Sequence, residues 1–152
     1  MSVLLMALVL LASLPTGTDT AGRAVPEGAR LAASIAAEDV EVQVISSQGM
    51  LSVQVAYPSA KGWLAAALAS TPSDAVAAWT GTRGRGPIPA LSVVYGRVPG
   101  SYVVIEWADG TRTRAPAERD GTFLAVRDRY VDATLLHVLD AAGTIVLEID
   151  DL

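Results

Sequence analysis

Val40, Val42 and Val44 alternate with Glu41 and Gln43, and farther on Leu51, Val53 and Val55 alternate with Ser52 and Gln54. This period of two restricts the fold more than any other feature of the chain. Side chains two apart in an extended strand share a face, so apolar residues on one phase build a sheet with one buried and one wet side. A helix would need its apolar residues three and four apart to form a stripe. Ser46-Ser47-Gln48-Gly49 lies between the two runs, and together they read as a β-hairpin with one apolar face.

Beyond Leu91 the β pattern resumes, broken by turns at steady intervals. Gly100, Gly110, Gly121 and Gly143 punctuate LSVVYGRV, YVVIEW, TFLAV, ATLLHVL and TIVLEI, and the last three glycines each precede a threonine. Asp109-Gly110 and Asp120-Gly121 are strong tight-turn signals because both residue types tolerate positive φ. Short strands with a turn every eight to twelve residues indicate a sandwich or barrel.

The stretch YGRVPGSYVVIEWADGTRTRAPAERDGTFLAV resembles the small exported β-domains of high-GC Gram-positive bacteria. It is also loosely similar to transthyretin-like, carboxypeptidase-regulatory-type modules, where a G-x-V strand is followed by a D-G-x-F strand. The resemblance covers about a fifth of the chain, residues 95–126, and rests on turn motifs. It implies a binding or spacer domain.

Two segments point to helix instead. Residues 26–38, PEGARLAASIAAE, carry Leu31 and Ile35 four apart in an alanine-rich setting, which fits a short helix or a linker. Residues 60–79, AKGWLAAALASTPSDAVAAW, are dense in alanine and poor in β-branched residues, which favours helix on propensity, with a strand through Trp63–Leu68 as the competing reading. TGTRGRGPIPA, residues 80–90, reads as a loop.

Residues 3–14, VLLMALVLLASL, are apolar apart from Ser13 and end at Pro15. Twelve helical residues span about 18 Å, short of the ~30 Å hydrocarbon core, but they match the apolar part of a secretory signal. Gly22-x-Ala24 and Thr18-x-Thr20 offer small-x-small cleavage positions. No lysine or arginine precedes the run, which leaves an uncleaved membrane tether or a core helix as the other readings. The expected organisation is therefore a signal peptide or membrane anchor over 1–24, a linker or short helix over 25–38, and one β-rich domain over 39–152.

The chain holds no cysteine, which excludes disulfides, thiolate metal sites and thiol catalysis. A net charge of −5 argues against the bulk attraction of general nucleic-acid binders. His137 is the only histidine, and no Gly-x-Ser-x-Gly elbow is present, so the usual hydrolase signals are missing. Asp109, Asp120, Asp128, Asp132 and Asp140 fall near turns without forming a calcium-loop pattern. One asymmetry stands out. Eight of the ten arginines lie between Arg83 and Arg129 against five carboxylates, a local surplus of three positive charges. Guanidinium groups pair well with carboxylate and phosphate, so Arg83 and Arg85 are candidates for an anion-binding surface, with Tyr95 and Trp107 as aromatic partners.

The fold expected from these features is mainly β, a small sandwich of antiparallel hairpins with one or two short helices. The expected role is an exported, non-catalytic binding or structural module at the cell envelope, needing no cofactor, with a protein or an envelope polymer as partner. It would meet no nucleic acid, and a membrane only through residues 1–24. A membrane-tethered accessory subunit that binds a partner protein is the alternative, and a small hydrolase-like enzyme is a distant third.

Overall fold

The computed structural model of the protein describes residues 24–152. The expected export segment or anchor lies outside them apart from Ala24. Eleven antiparallel strands form three sheets, and no helix occurs among the described residues. The strands are β1 (Arg30–Ala37), β2 (Val40–Ser47), β3 (Met50–Ser59), β4 (Gly62–Pro72), β5 (Ala77–Thr82), β6 (Leu91–Arg97), β7 (Tyr102–Trp107), β8 (Arg112–Pro116), β9 (Thr122–Arg127), β10 (Ala133–Leu139) and β11 (Ile145–Ile149). A first sheet has the order β1-β2-β3-β4, a second β11-β10-β7-β8 and a third β5-β6-β9.

The hairpin of β2 and β3 forms as the alternation requires, with Val42 opposite Val55 and Val44 opposite Val53. Its turn is only Gln48-Gly49, both at positive φ (52° and 78°), the geometry that matches the twist of the flanking strands. Val40, Val42, Val44, Leu51, Val53 and Val55 are all buried.

Both expected helices are strands. β1 pairs with β2 from Arg30 opposite Ser46 to Ala37 opposite Val40. The spacing of Leu31 and Ile35 did not separate the two states, because residues four apart fall on one face of a strand as well as of a helix. In 60–79, β4 pairs along β3 from Ser59 opposite Gly62 to Met50 opposite Pro72, with a bulge beside Val53 and Gln54. The competing strand through Trp63–Leu68 is therefore the correct one. Alanine's helix preference amounts to tenths of a kcal/mol per residue over ordinary residues, and pairing against a long, well-formed β3 outweighs it. The end of the same segment and the start of the expected loop form β5, so the loop itself is 83–90.

β6 reads LSVVYGR, apolar on both phases, and six of its seven residues are buried. A strand with no polar phase is covered on both faces. Leu91, Val93 and Tyr95 of β6 and Leu124 of β9 join the core against the first sheet. Val94 of β6 with Phe123 and Ala125 of β9 join a second core with Val103, Ile105, Trp107, Leu136 and Val138. The β5-β6-β9 sheet thus lies between the other two and gives alternate residues to two cores. Each fully buried Val, Leu or Phe contributes about 1.5–3 kcal/mol by leaving water.

The Asp-Gly-Thr rhythm is a set of side-chain-capped turns. Asp109 Oδ1 accepts from the Thr111 amide at 3.0 Å and Asp120 Oδ1 from the Thr122 amide at 3.0 Å, while Asp140 Oδ1 accepts from the amides of Ala142 and Thr144, each at 2.9 Å. Gly110, Gly121 and Gly143 all lie at positive φ. The first of these turns joins β7 to β8 within one sheet, whereas the second carries the chain from β8 to β9 in another.

Candidate functional site

Three connections meet at one end of the central sheet: the 83–90 loop after β5, the 128–132 segment after β9 and the turn after β7. Pairing places them together, because Thr82 lies opposite Leu91 and Ser92 opposite Arg127. Ser92 is fully buried and works as a pin. Its Oγ donates to the Arg129 carbonyl at 2.8 Å and accepts from the Val131 amide at 2.7 Å. Trp79 Nε1 donates to the Val131 carbonyl at 3.1 Å, and the Ala108 amide donates to the Asp132 carbonyl at 2.8 Å. Residues 129–132 are thereby tied to β5, β6 and the β7 turn at once.

That fixation presents Tyr130 at the surface, 38% exposed, with its ring edge-on to Trp79 at 5.6 Å. Arg83 reaches over from its loop and stacks on Tyr130, its guanidinium carbon 4.2 Å from the ring centroid. Beside it, Arg127 lies over the indole of Trp107 at 5.4 Å and donates from Nη2 to Asp109 Oδ2 at 2.9 Å and from Nη1 to Thr111 Oγ1 at 2.5 Å. Arg129 shares the same Asp109 oxygen at 3.3 Å. The Arg127 hydrogen bond, followed by those from Thr111, holds the Asp109 carboxyl well below the usual carboxylate range.

These connections carry Arg83, Arg85 and Arg129 and adjoin Arg127 at the end of β9, together with the exposed Tyr130 and the carboxylates Asp109, Asp128 and Asp132. Asp109 binds two of the four arginines, Arg127 and Arg129. Among the described residues, Arg83 and Arg85 form no ion pair with a carboxylate, and both are exposed. The far side of their loop borders a cleft of about 200 Å³ formed by Glu38, Asp39, Val40 and the run Gly86–Pro89. The loop is braced by a two-way backbone pairing of Arg85 with Ile88, at 2.8 and 3.0 Å.

Of the four candidates drawn from the sequence, Arg83 and Arg85 stand at this surface. Tyr95 and Trp107 do not, because each is only 1% exposed. Tyr95 fills the first core, and Trp107 fills the second with its indole N–H donated to Thr113 Oγ1 at 2.8 Å. They sit on the inward phase of strands whose neighbours are large and apolar, so a surface role for them is corrected. The aromatic partner is Tyr130. Its signal lay in its setting, an aromatic residue directly after Arg-Asp-Arg and outside any alternating run.

The other charged rows are self-contained. On the outer face of β7 and β8, Arg112 bonds Glu106 Oε2 from Nε and Nη2 at 3.2 and 3.1 Å, and Arg114 stacks on Tyr102 at 3.9 Å. His137 contacts Glu148 at 2.5 Å beside a depression of about 60 Å³ lined by Val104, Glu106, Arg112, Leu135 and His137. A histidine oriented by a carboxylate is two-thirds of a nucleophilic triad, but that lining offers no Ser, Thr or Cys to activate. Among the described residues no three His, Cys, Asp or Glu side chains are grouped to hold a metal ion. No protein-family model matches this chain, and neither does any curated protein or solved structure.

Proposed function

We propose that this chain is an exported, non-catalytic binding module of the cell envelope, one of the small exported β-domains that its stretch from Tyr95 to Val126 resembles. In this reading Arg83, Arg85, Arg129 and Tyr130 form the surface that takes a partner rich in carboxylate or phosphate, such as an anionic envelope polymer. The observation that carries it is the pair of exposed arginines, Arg83 and Arg85, without carboxylate partners among the described residues, on a loop braced by the Arg85–Ile88 backbone pairing. The two guanidinium groups of this loop are positive charges on a protein of net charge −5, and an anion is drawn to them within about a Debye length. Rigid mounting lowers the entropy lost on binding.

Polyglutamate and polyphosphate, fluorescently labelled, supply the carboxylate and phosphate arms of the test. Binding to one of them that weakens with salt, and weakens about tenfold or more in the Arg83→Ala/Arg85→Ala double variant, supports the reading. Equal binding by the double variant, or none to either polymer, overturns it. A second reading is a membrane-tethered accessory subunit, in which residues 1–24, with their apolar run at 3–14, stay on the chain as an anchor. Mass spectrometry of the amino terminus separates the two. A chain still beginning at Met1 in the membrane fraction establishes the tether.

A further inference from the structure

Gln43 is fully buried on the side of its sheet that faces away from the core. Val42 and Val44 point into the core shared with the central sheet, so Gln43 between them points outward. Ile45 and Ala56 lie on that outward side too, are 5% and 0% exposed, and belong to neither core. A sheet side without a second layer is normally wet and polar, so these residues have a cover. Among the described residues, the segment ahead of β1 supplies the start of it. Gln54, opposite Gln43, donates from Nε2 to the Ala24 carbonyl at 3.2 Å and to Gln43 Oε1 at 2.7 Å, and Gln43 Nε2 donates in turn to Glu41. This line of hydrogen bonds satisfies a buried amide and ends on the backbone of the amino-terminal segment.

The course of that segment indicates what lies next on the face. Arg30 opens the edge strand β1 opposite Ser46, whereas Gln43 and Gln54 lie at the level of Ser34. A turn closed by the Ala29 amide on the Pro26 carbonyl, at 3.2 Å, folds the chain back over the sheet. From Ala29 back to Ala24 it therefore crosses from β1 to β3 and moves toward the β3–β4 turn. One further step on this heading brings Arg23 to β4. There Ala67, Ala65 and Trp63 follow one another on the same outward phase, opposite Gln54, Ala56 and Pro58. The two alanines are exposed and leave room for a backbone, and Trp63, half-buried, offers an aromatic face. Arg23 is the first cation of the chain, and a guanidinium over an indole is the favoured cation–π pair. We propose that the outer face of the first sheet is the seat of the chain's own amino-terminal arm, with Ala24 held by Gln54 and Arg23 stacked on Trp63. The arm closes this face to other partners, and a chain cut at Gly22-x-Ala24 loses both contacts and bares the seat.

The experiment uses the purified, unprocessed full-length chain. Timed tryptic cleavage read by mass spectrometry compares Arg23 with Arg85 on its exposed loop. Cleavage after Arg23 is expected to be slower by about tenfold or more, because the arm must first leave the sheet. In Trp63→Ala the Arg23 rate rises about fivefold with the Arg85 rate unchanged, and in Trp63→Tyr it stays slow. In proton NMR of the unchanged chain, the δ-methylene of Arg23, assigned by its loss in Arg23→Lys, is displaced upfield by the indole ring current. Cleavage after Arg23 as fast as after Arg85, an Arg23 rate indifferent to Trp63→Ala, or an undisplaced δ-methylene signal would each overturn the proposal. If Trp63→Ala speeds cleavage at Arg85 as well, the variant is loosened throughout, and the ring-current shift of the unchanged chain decides.

Discussion

The guanidinium of Arg83 stacks on the ring of Tyr130, 4.2 Å from its centroid, although the two residues lie in separate connections. Tyr130 is itself set by Trp79 and by the Ser92 pin, so the contact transmits the order of the strand framework to an otherwise glycine-rich loop. An exposed cation–π contact is worth about 0.5–1 kcal/mol. In Tyr130→Ala, tryptic cleavage after Arg83 and Arg85 is expected to speed up about two- to fivefold, while Tyr130→Phe keeps the rate of the unchanged chain. Limited proteolysis timed by mass spectrometry measures this.

Acid sensitivity follows from two turns. Asp109 is held ionised chiefly by its hydrogen bond from Arg127, and Asp120 chiefly by the Thr122 amide, so both titrate below their ordinary value of 3.8. A carboxyl with a lowered folded-state pKa adds stability above its unfolded value, and that stability is lost as pH falls towards the lowered value. The urea midpoint should therefore stay level from pH 7 to 5 and fall below about pH 4. Asp109→Asn, which keeps the turn but not the charge, lowers the midpoint at pH 7 and flattens part of the acid slope.

Gly96 carries a packing constraint that no flexibility argument covers. A Cβ there would stand 2.1 Å from the Val76 carbonyl oxygen and 2.8 Å from the Ala77 Cα, both backbone atoms. β5 and β6 would have to separate, breaking the bond from the Arg97 amide to Val76 O at 3.1 Å. Gly96→Ala is expected to cost about 3 kcal/mol in denaturant unfolding. A loss below ~0.5 kcal/mol would show that the strands part freely.

Trp107 tests its reassignment from surface to core. Trp107→Ala removes the largest fully buried side chain and leaves Thr113 Oγ1 without its donor, for an expected loss of about 3–5 kcal/mol. Its effect on polymer binding should be no larger than the unfolded fraction explains. Comparing chemical denaturation with binding to the same preparation checks both.

Much of the β content was legible because alternation and turn chemistry are local. The valines of β2 and β3, Asp109-Gly110 and Asp120-Gly121 each state their conformation within a few residues. Local preference misled where side chains were small. The alanines of β4 favour helix by tenths of a kcal/mol per residue, and only the availability of β3, with its own residues matched one for one, made a strand the better outcome.

Taken alone, the sequence determined the β2–β3 hairpin, the run of strands and turns after Leu91, and an arginine surplus between residues 83 and 129. Which strands became neighbours was left to tertiary structure. The same Asp-Gly signal closes a hairpin at Asp109 and crosses between sheets at Asp120, because a turn sets the direction of the chain but not the partner of the next strand. Burial of β6 on both faces, and with it the confinement of Tyr95 and Trp107 to separate cores, came from stacking three sheets, an arrangement of long-range contacts. That stacking also brought Arg83 to Tyr130 across 47 residues of chain. Local rules choose conformations, while the burial of apolar faces against one another chooses neighbours, and the candidate site is made of neighbours.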